Sequence, residues 1–144
     1  MSEFDKQLKA FTVLHRATTA VQEATKKDIQ QSDLNLTEFA VMELLYHKGD
    51  QPIQVIGKKV LIASSSITYV VDKLEKKNLI TRVACPTDRR VTFVSLTDEG
   101  TAMIESIFPT HEKKIAAIFD VLSEEELQTL TDYLKRVGHH ANTL

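Results

Sequence analysis

The chain has 144 residues, about the size of one domain and long enough to bury a hydrophobic core without disulfides or metal ions. Its 42% hydrophobic and 26% charged residues, with only four glycines and three prolines, exclude a disordered or fibrous protein and favour a helix-rich globular one. The net charge of −2 does not by itself indicate a nucleic-acid binder, so the distribution of the charges decides.

The N-terminal residues are charged and amphipathic and contain no continuous apolar stretch. They therefore predict neither a signal peptide nor a transmembrane helix. The single cysteine, Cys85, leaves no internal disulfide and fits a reducing compartment. Together these features predict a cytoplasmic protein.

Two helices are predicted in the first third of the chain. Apolar residues recur at three- and four-residue steps from Phe4, which predicts a long helix that ends near Gln30. The stretch 36–38 opens the second helix, with Thr37 as its N-cap, and Gly49 ends it.

A helix-turn-helix follows. Pro52 suits the first turn of a short helix over residues 53–60. A serine-rich start and an apolar stripe predict the next helix over residues 64–78. The tight connection between these two helices is typical of the helix-turn-helix motif.

Strand patterns come directly after it. Residues 80–83 and 91–96 are rich in β-branched residues or alternate in polarity, which predicts a β-hairpin. Thr97 then caps a long helix, and Ser123 with Glu126 forms a capping box for a last one. The predicted fold is mainly α with a small β-hairpin wing: a winged helix-turn-helix with long helices at both ends of the chain.

Charge is segregated along the chain. Residues 58–90 hold eight Lys and Arg against three acidic residues, which gives +5, and the rest of the chain carries −7. We call residues 58–90 the basic segment. An acidic body with one basic segment would orient the protein on DNA, although such clusters also occur on ordinary solvated faces.

A helix-turn-helix places its second helix in the major groove, and steps of 100° separate the apolar stripe from an exposed face. The hydroxyl groups near the start of this helix can bond phosphates or bases, although Ser64 also suits a capping role. An exposed Tyr69 has no core to fill on this face. The predicted DNA contacts on the helix are Ser64, Ser65, Ser66, Thr68, Tyr69, Lys73 and Lys76.

The turn of the hairpin, CPTDRRV, carries two adjacent arginines. Pro86 and Asp88 shape the turn, and Arg90 is predicted to enter a narrow minor groove, whose negative potential attracts it. Arg89 is predicted to bind phosphate or to pair with Asp72.

The runs LTEFAVMELL and SSSITYVVDKLEKKNLITRVACPTDRRVTFVSLTDEG resemble the MarR family of bacterial transcriptional regulators. The most specific part is the Asp-x-Arg and Leu-Thr-x-x-Gly wing signature, here Asp88, Arg90, Leu96, Thr97 and Gly100. The resemblance implies a homodimer that binds double-stranded DNA at a palindromic operator, usually as a repressor relieved by a ligand or an oxidant. Residues 1–32 and 101–144 would be dimerisation helices, and residues 36–100 the winged helix-turn-helix lobe. The family often has a basic residue where this chain has Tyr69.

A dimer is also expected from the residues themselves. The first and last helices carry more apolar surface than one small winged helix can cover.

Two kinds of effector sensing are considered. In the family, ligands such as phenolic compounds lie between the dimer helices and the DNA-binding lobe. The resemblance thus implies a ligand site that contains Phe11, His15, Phe39, Met42, Tyr46 and Phe108, each of which also suits ordinary core packing. Cys85 is a possible redox sensor, with Arg82 lowering its pKa, but an incidental cysteine is the alternative, since cysteine-sensing members usually carry theirs in the first helix.

No cofactor, metal site or catalytic activity is expected. His111 lacks a second histidine four residues on, and Gly57-Lys58-Lys59 lacks the rest of a phosphate-binding loop. The sequence therefore predicts a homodimeric, DNA-binding transcriptional regulator, a repressor released by a small aromatic or electrophilic compound. The alternative is a winged-helix protein-interaction module without sequence-specific DNA binding.

Overall fold

The computed structural model describes residues 2–60 and 64–144, with only the backbone of Ser64 and Ser65. The chain divides into two compact units, Met1–His111 and Glu112–Leu144. The described helices are α1 (Asp5–Gln30), α2 (Leu36–Lys48), α3 (Ile53–Lys59), α4 (Ser64–Lys76), α5 (Asp98–Phe119) and α6 (Glu124–Ala141), and the strands are β1 (Gln51–Pro52), β2 (Ile80–Ala84) and β3 (Thr92–Leu96). This is the predicted mainly helical fold with a hairpin wing. No helix in the described ranges is long and apolar enough to span a membrane.

The helix α2 begins with a capping box. The Asn35 side chain accepts a hydrogen bond from the Glu38 amide at 2.8 Å, and the Glu38 carboxylate accepts one from the Asn35 amide at 3.1 Å. Asn35 is thus the N-cap, and the prediction of Thr37 was wrong. The reason is spacing, because the capping box needs its acidic residue three positions after the cap.

The strand β1 was not predicted. Gln51 and Pro52 pair antiparallel with β3, opposite Val94 and Phe93, and make a three-stranded sheet of order β1-β3-β2. Pro52 lies on an edge strand, where its missing N–H costs no ladder bond. It is also the N-cap of α3 rather than part of the first turn.

The helix α4 ends two residues earlier than predicted. Asn78 has φ of +63°, and the amide of Leu79 donates to the carbonyl of Leu74 at 3.1 Å. This left-handed turn satisfies the last carbonyls of the helix and directs the chain into β2. The predicted inward stripe is correct, since Ile67, Val70, Val71 and Leu74 are all buried in the core.

Thr97 joins the end of the hairpin to α5. Its hydroxyl donates to the carbonyl of Asn78 at 2.7 Å and accepts from the amide of Gly100 at 2.9 Å, as the predicted cap requires. A Cβ on Gly100 would lie 2.0 Å from the carbonyl oxygen of Leu79. The close approach of this backbone explains the glycine.

The hydrophobic core lies within the first unit and is formed by α2, α3, α4, the sheet and one end each of α1 and α5. Only Thr25 and Ile29 of α1 are buried. In the second unit, Ser123 and Glu126 form the predicted capping box of α6.

Candidate functional site

The polar face of α4 is exposed over its whole described length. The buried stripe turns one side of the helix into the core, so the other side faces solvent. The exposed residues on this face are Ser66, Thr68, Tyr69, Asp72, Lys73 and Lys76. The side chains of Ser64 and Ser65, two further predicted DNA contacts, lie outside the described residues.

Among the described side chains of this face, Tyr69 is the one large apolar residue. It is 66% exposed, and the ammonium of Lys73 lies 5.9 Å from its ring centroid. A cation over an aromatic ring is weakly attracted to it, which favours a shared orientation of the two side chains. Together they present an aromatic surface and a positive charge one turn apart.

The wing tip projects its arginines into solvent. Arg90 is 90% exposed in its side chain and bonds Asp88 through Nε at 3.1 Å and Nη2 at 3.2 Å. The amide of Arg90 also donates to Asp88 at 2.9 Å, so the carboxylate fixes the turn as predicted. These bonds lower the pKa of Asp88 and keep it ionised. Arg89 is exposed beside them.

A third arginine, Arg82, connects the wing to α4. Arg82 on β2 donates to Asp72 and, at 2.6 Å, to Glu75. Its pKa is raised, chiefly by the hydrogen bond to Asp72. The prediction that Arg89 could pair with Asp72 was therefore wrong, because Arg82 lies on the strand that packs beside the end of α4. The feature of the sequence that could have identified Arg82 is its position in the strand, two residues after Ile80, which is buried.

Cys85 lies partly buried at the base of the wing turn. Its thiol is 3.4 Å from the hydroxyl of Thr87, and this hydrogen bond is the main cause of a lowered pKa. The direction agrees with the prediction, but the cause differs, since Arg82 is bound by Asp72 and Glu75. A sensing role of Cys85 stays a prediction.

The predicted ligand residues fall into two groups. Phe39 and Met42 are buried in the core, Phe108 packs against it, and Tyr46 is half-exposed on the same helix α2. Phe11, at 70% exposure, and His15 lie on the solvent face of α1.

Two histidines that the sequence analysis did not assign to this site join the first group. The ring of His111 lies 4.6 Å from that of Phe39 and 6.2 Å from that of Phe108. His47 lies 4.8 Å from Phe108 and 5.2 Å from Tyr46. We call these five rings the aromatic cluster. The signal for His111 was its place one turn after Phe108.

The aromatic cluster has polar groups at its margin. Nε2 of His111 lies 3.7 Å from the carboxylate of Glu43, while its Nδ1 is buried and accepts or donates no hydrogen bond within the described residues. The Tyr46 hydroxyl lies 3.4 Å from Glu105. A cavity of about 330 Å³ borders Glu43 and His47. The rest of its lining is mixed, with Ala40, Leu44 and Val60 beside Lys48 and Lys59, and His47 is the ring through which it adjoins the cluster.

The MarR family model matches residues 34–92, which hold the helix-turn-helix and most of the wing. The HTH-type transcriptional regulator MhqR of Bacillus subtilis (strain 168) is 56% identical over 137 residues, which cover 95% of this chain and 94% of that protein.

Solved structures share the fold. Sco3205, a MarR family transcriptional regulator from Streptomyces coelicolor in complex with DNA, superposes with a TM-score of 0.87 at 22% identity, over 97% of this chain and 89% of that one. NadR in complex with 4-hydroxyphenylacetate superposes with a TM-score of 0.78 at 26% identity, over 88% of this chain and 89% of that one. Because more than half of the residues are identical to MhqR across nearly the whole length, the chain belongs to the MarR family of transcriptional regulators.

Proposed function

We propose that this regulator is a repressor that binds a palindromic DNA operator as a homodimer and leaves it when a small aromatic or electrophilic compound binds. The observation that carries the DNA-binding part is the exposed face of α4 beside an exposed arginine tip. A helix of this kind fits the major groove, and an arginine at a wing tip suits the minor groove. Such a regulator acts in the cytoplasm, where bacterial DNA is.

Charge supports the orientation. The basic segment includes α4, the strand β2 and the wing-tip arginines, whereas the remainder of the chain is acidic. Arg82 also offsets one of the two negative charges of Asp72 and Glu75, which would otherwise both stand unpaired beside the DNA. Phosphates would therefore be attracted to one side of the protein and repelled elsewhere.

Exposed apolar residues support the homodimer. Phe4, the N-cap of α1, and Leu8, Phe11, Val13 and Leu14 on that helix are 42–70% exposed. In the second unit, α6 exposes Leu134 and Val137 and borders an apolar groove of about 610 Å³. Surfaces of this kind on helices at both chain ends are typical of an association interface. We propose residues 1–32 and 101–144 as the dimerisation helices and residues 36–100 as the DNA-binding lobe.

The aromatic cluster supports the effector. Of its five rings, those of Phe39, Tyr46, His47 and Phe108 are suited to stacking or packing against an aromatic compound, and the buried Nδ1 of His111 offers a polar contact. The related fold of NadR holds a phenolic acid. We propose that Phe39, Met42, Tyr46 and Phe108 bind the effector, with Phe11 and His15 added where α1 meets the lobe in the dimer.

The wing arginine provides the test of DNA binding. An operator is first selected from genomic fragments, and its affinity is measured by fluorescence anisotropy for the wild type, Arg90→Ala and Lys48→Ala. We expect Arg90→Ala to weaken operator binding about tenfold or more, while Lys48→Ala, which removes an exposed charge outside both the basic segment and the proposed dimerisation helices, binds like the wild type. Equal affinities for all three proteins would contradict the docking, and failure to select any fragment would favour a protein-interaction module.

The same complex tests the effector. Titration with 4-hydroxyphenylacetate and with simple phenols is expected to release the operator at some concentration, and Phe39→Leu is expected to raise that concentration. If none of the aromatic compounds tried released the protein from the operator, the proposal of an aromatic effector would be contradicted.

A further inference from the structure

Glu38 is the most deeply buried charged residue in the described part of the chain, with 1% of its surface exposed. One carboxylate oxygen accepts from the amide of Asn35 at 3.1 Å, and the other accepts from the ammonium of Lys77 at 3.1 Å. A buried carboxylate is costly unless both charge and hydrogen bonds are satisfied. Lys77 supplies the balancing charge.

Lys77 is the first residue after α4. Its ammonium also donates to the carbonyl of Asp33 at 2.7 Å, and Asp33 has φ of +61°. One side chain thus bonds both the turn that leaves α1 and the first turn of α2. The end of α4 is therefore hydrogen-bonded to the segment that connects α1, the proposed dimerisation helix, to the DNA-binding lobe.

Given the proposed DNA-binding function, on which this inference rests, we propose that Glu38 and Lys77 are positioning residues that set the angle of α4 on the operator. The 13 residues of α4 span about 20 Å at 1.5 Å per residue. A tilt of about 10° at the Lys77 end would move the other end by about 3 Å, the full length of a hydrogen bond. Base contacts are made near that other end.

The neighbouring Lys76 provides a matched control. Lys76 is exposed and belongs to the predicted DNA contacts, whereas Lys77 is 27% exposed in its side chain and directed toward Glu38. The two lysines are adjacent and chemically identical, yet their roles in binding differ. Loss of a phosphate contact weakens binding to all sequences and reduces the salt dependence. Loss of a positioning contact weakens binding to the correct sequence.

The test uses the double variant Glu38→Gln/Lys77→Met, which removes both charges together and keeps an oxygen acceptor for the Asn35 amide. Anisotropy is measured on the selected operator and on a scrambled duplex, in a salt series, after circular dichroism has established the folded fraction. We expect operator affinity to fall about tenfold, similar to one mismatched base pair, with unchanged scrambled affinity and salt slope. Lys76→Met should weaken both duplexes and reduce the slope by about one.

Lys77→Arg is expected to retain most of the operator preference, because a guanidinium can donate to both Glu38 and Asp33. A double variant that distinguishes operator from scrambled DNA as well as the wild type does would overturn the positioning role. Parallel loss on both duplexes with a lower folded fraction would assign the pair to stability alone and overturn it as well. If the wild type itself failed to prefer any operator, the DNA-binding proposal would fail first and this inference with it.

Discussion

At the residue scale, Gly100 lies in a regular helix, but its surroundings leave no room for a side chain. The carbonyl of Leu79 occupies the space where a Cβ would lie, at 2.0 Å, and that carbonyl also accepts from the amide of Thr97. Backbone cannot move aside as the end of a flexible side chain can. The glycine therefore sets the distance between the start of α5 and the turn that leaves α4.

Two glycine substitutions test this account. Gly100→Ala is expected to lower the free energy of unfolding by about 1–3 kcal/mol, because the added methyl group overpacks the site. Gly138→Ala in α6 is the matched control, since no atom lies within 4 Å of its Cβ position, and it should raise that free energy by about 0.5–1 kcal/mol. Urea denaturation of the wild type and both variants measures these changes in the free energy of unfolding. Equal effects would show that the short contact at Gly100 relaxes without cost.

The role of Asp88 in shaping the wing turn was predictable from the sequence because the turn is local. Asp88 and Arg90 are two positions apart, so their bond follows from the turn chemistry alone. The partner of Asp72 could not be chosen this way, since it depends on how β2 lies beside α4. His111 was missed for a similar reason, because its contacts with Phe39 join residues far apart in sequence.

At the element scale, the helices and the two hairpin strands were predicted well, and the short strand β1 was not. The end of α1 and the start of α6 follow from the apolar stripe and the capping residues, and α2 differs only in its N-cap. The two residues of β1 carry no periodicity, and a proline there argues against a strand in sequence terms. Their pairing is a tertiary event that only the folded sheet supplies.

The link between α4 and the wing leads to a further prediction. Arg82→Ala would leave Asp72 and Glu75 unpaired near the DNA, so operator affinity should fall, while the free energy of unfolding changes by less than about 1 kcal/mol because the pairs are partly exposed. The triple change Asp72→Asn/Glu75→Gln/Arg82→Ala should restore much of the affinity. If it does not, Arg82 contributes to binding by means other than charge neutralisation. Anisotropy and urea denaturation on the same preparations separate these effects.

At the scale of the whole molecule, an acidic protein is proposed to bind a polyanion. The net charge of −2 indicates little, since +5 is confined to the basic segment and the remainder is negative. Electrostatic attraction acts over about 10 Å at ordinary ionic strength, so the local charge governs contact with phosphates. The family and the fold were predictable from the wing signature and the order of elements. The effector was not, because its site depends on the packing of distant aromatic residues.

The most direct measurement is fluorescence anisotropy of the wild-type protein on DNA from upstream of its own gene and on a scrambled duplex, between 50 and 200 mM salt. With about six to ten phosphate contacts, we expect affinity for the upstream DNA to fall by about 10³- to 10⁵-fold over this range and to exceed that for the scrambled duplex throughout. Weak binding that is equal for both duplexes and insensitive to salt, repeated with fragments selected from the genome, would contradict the account.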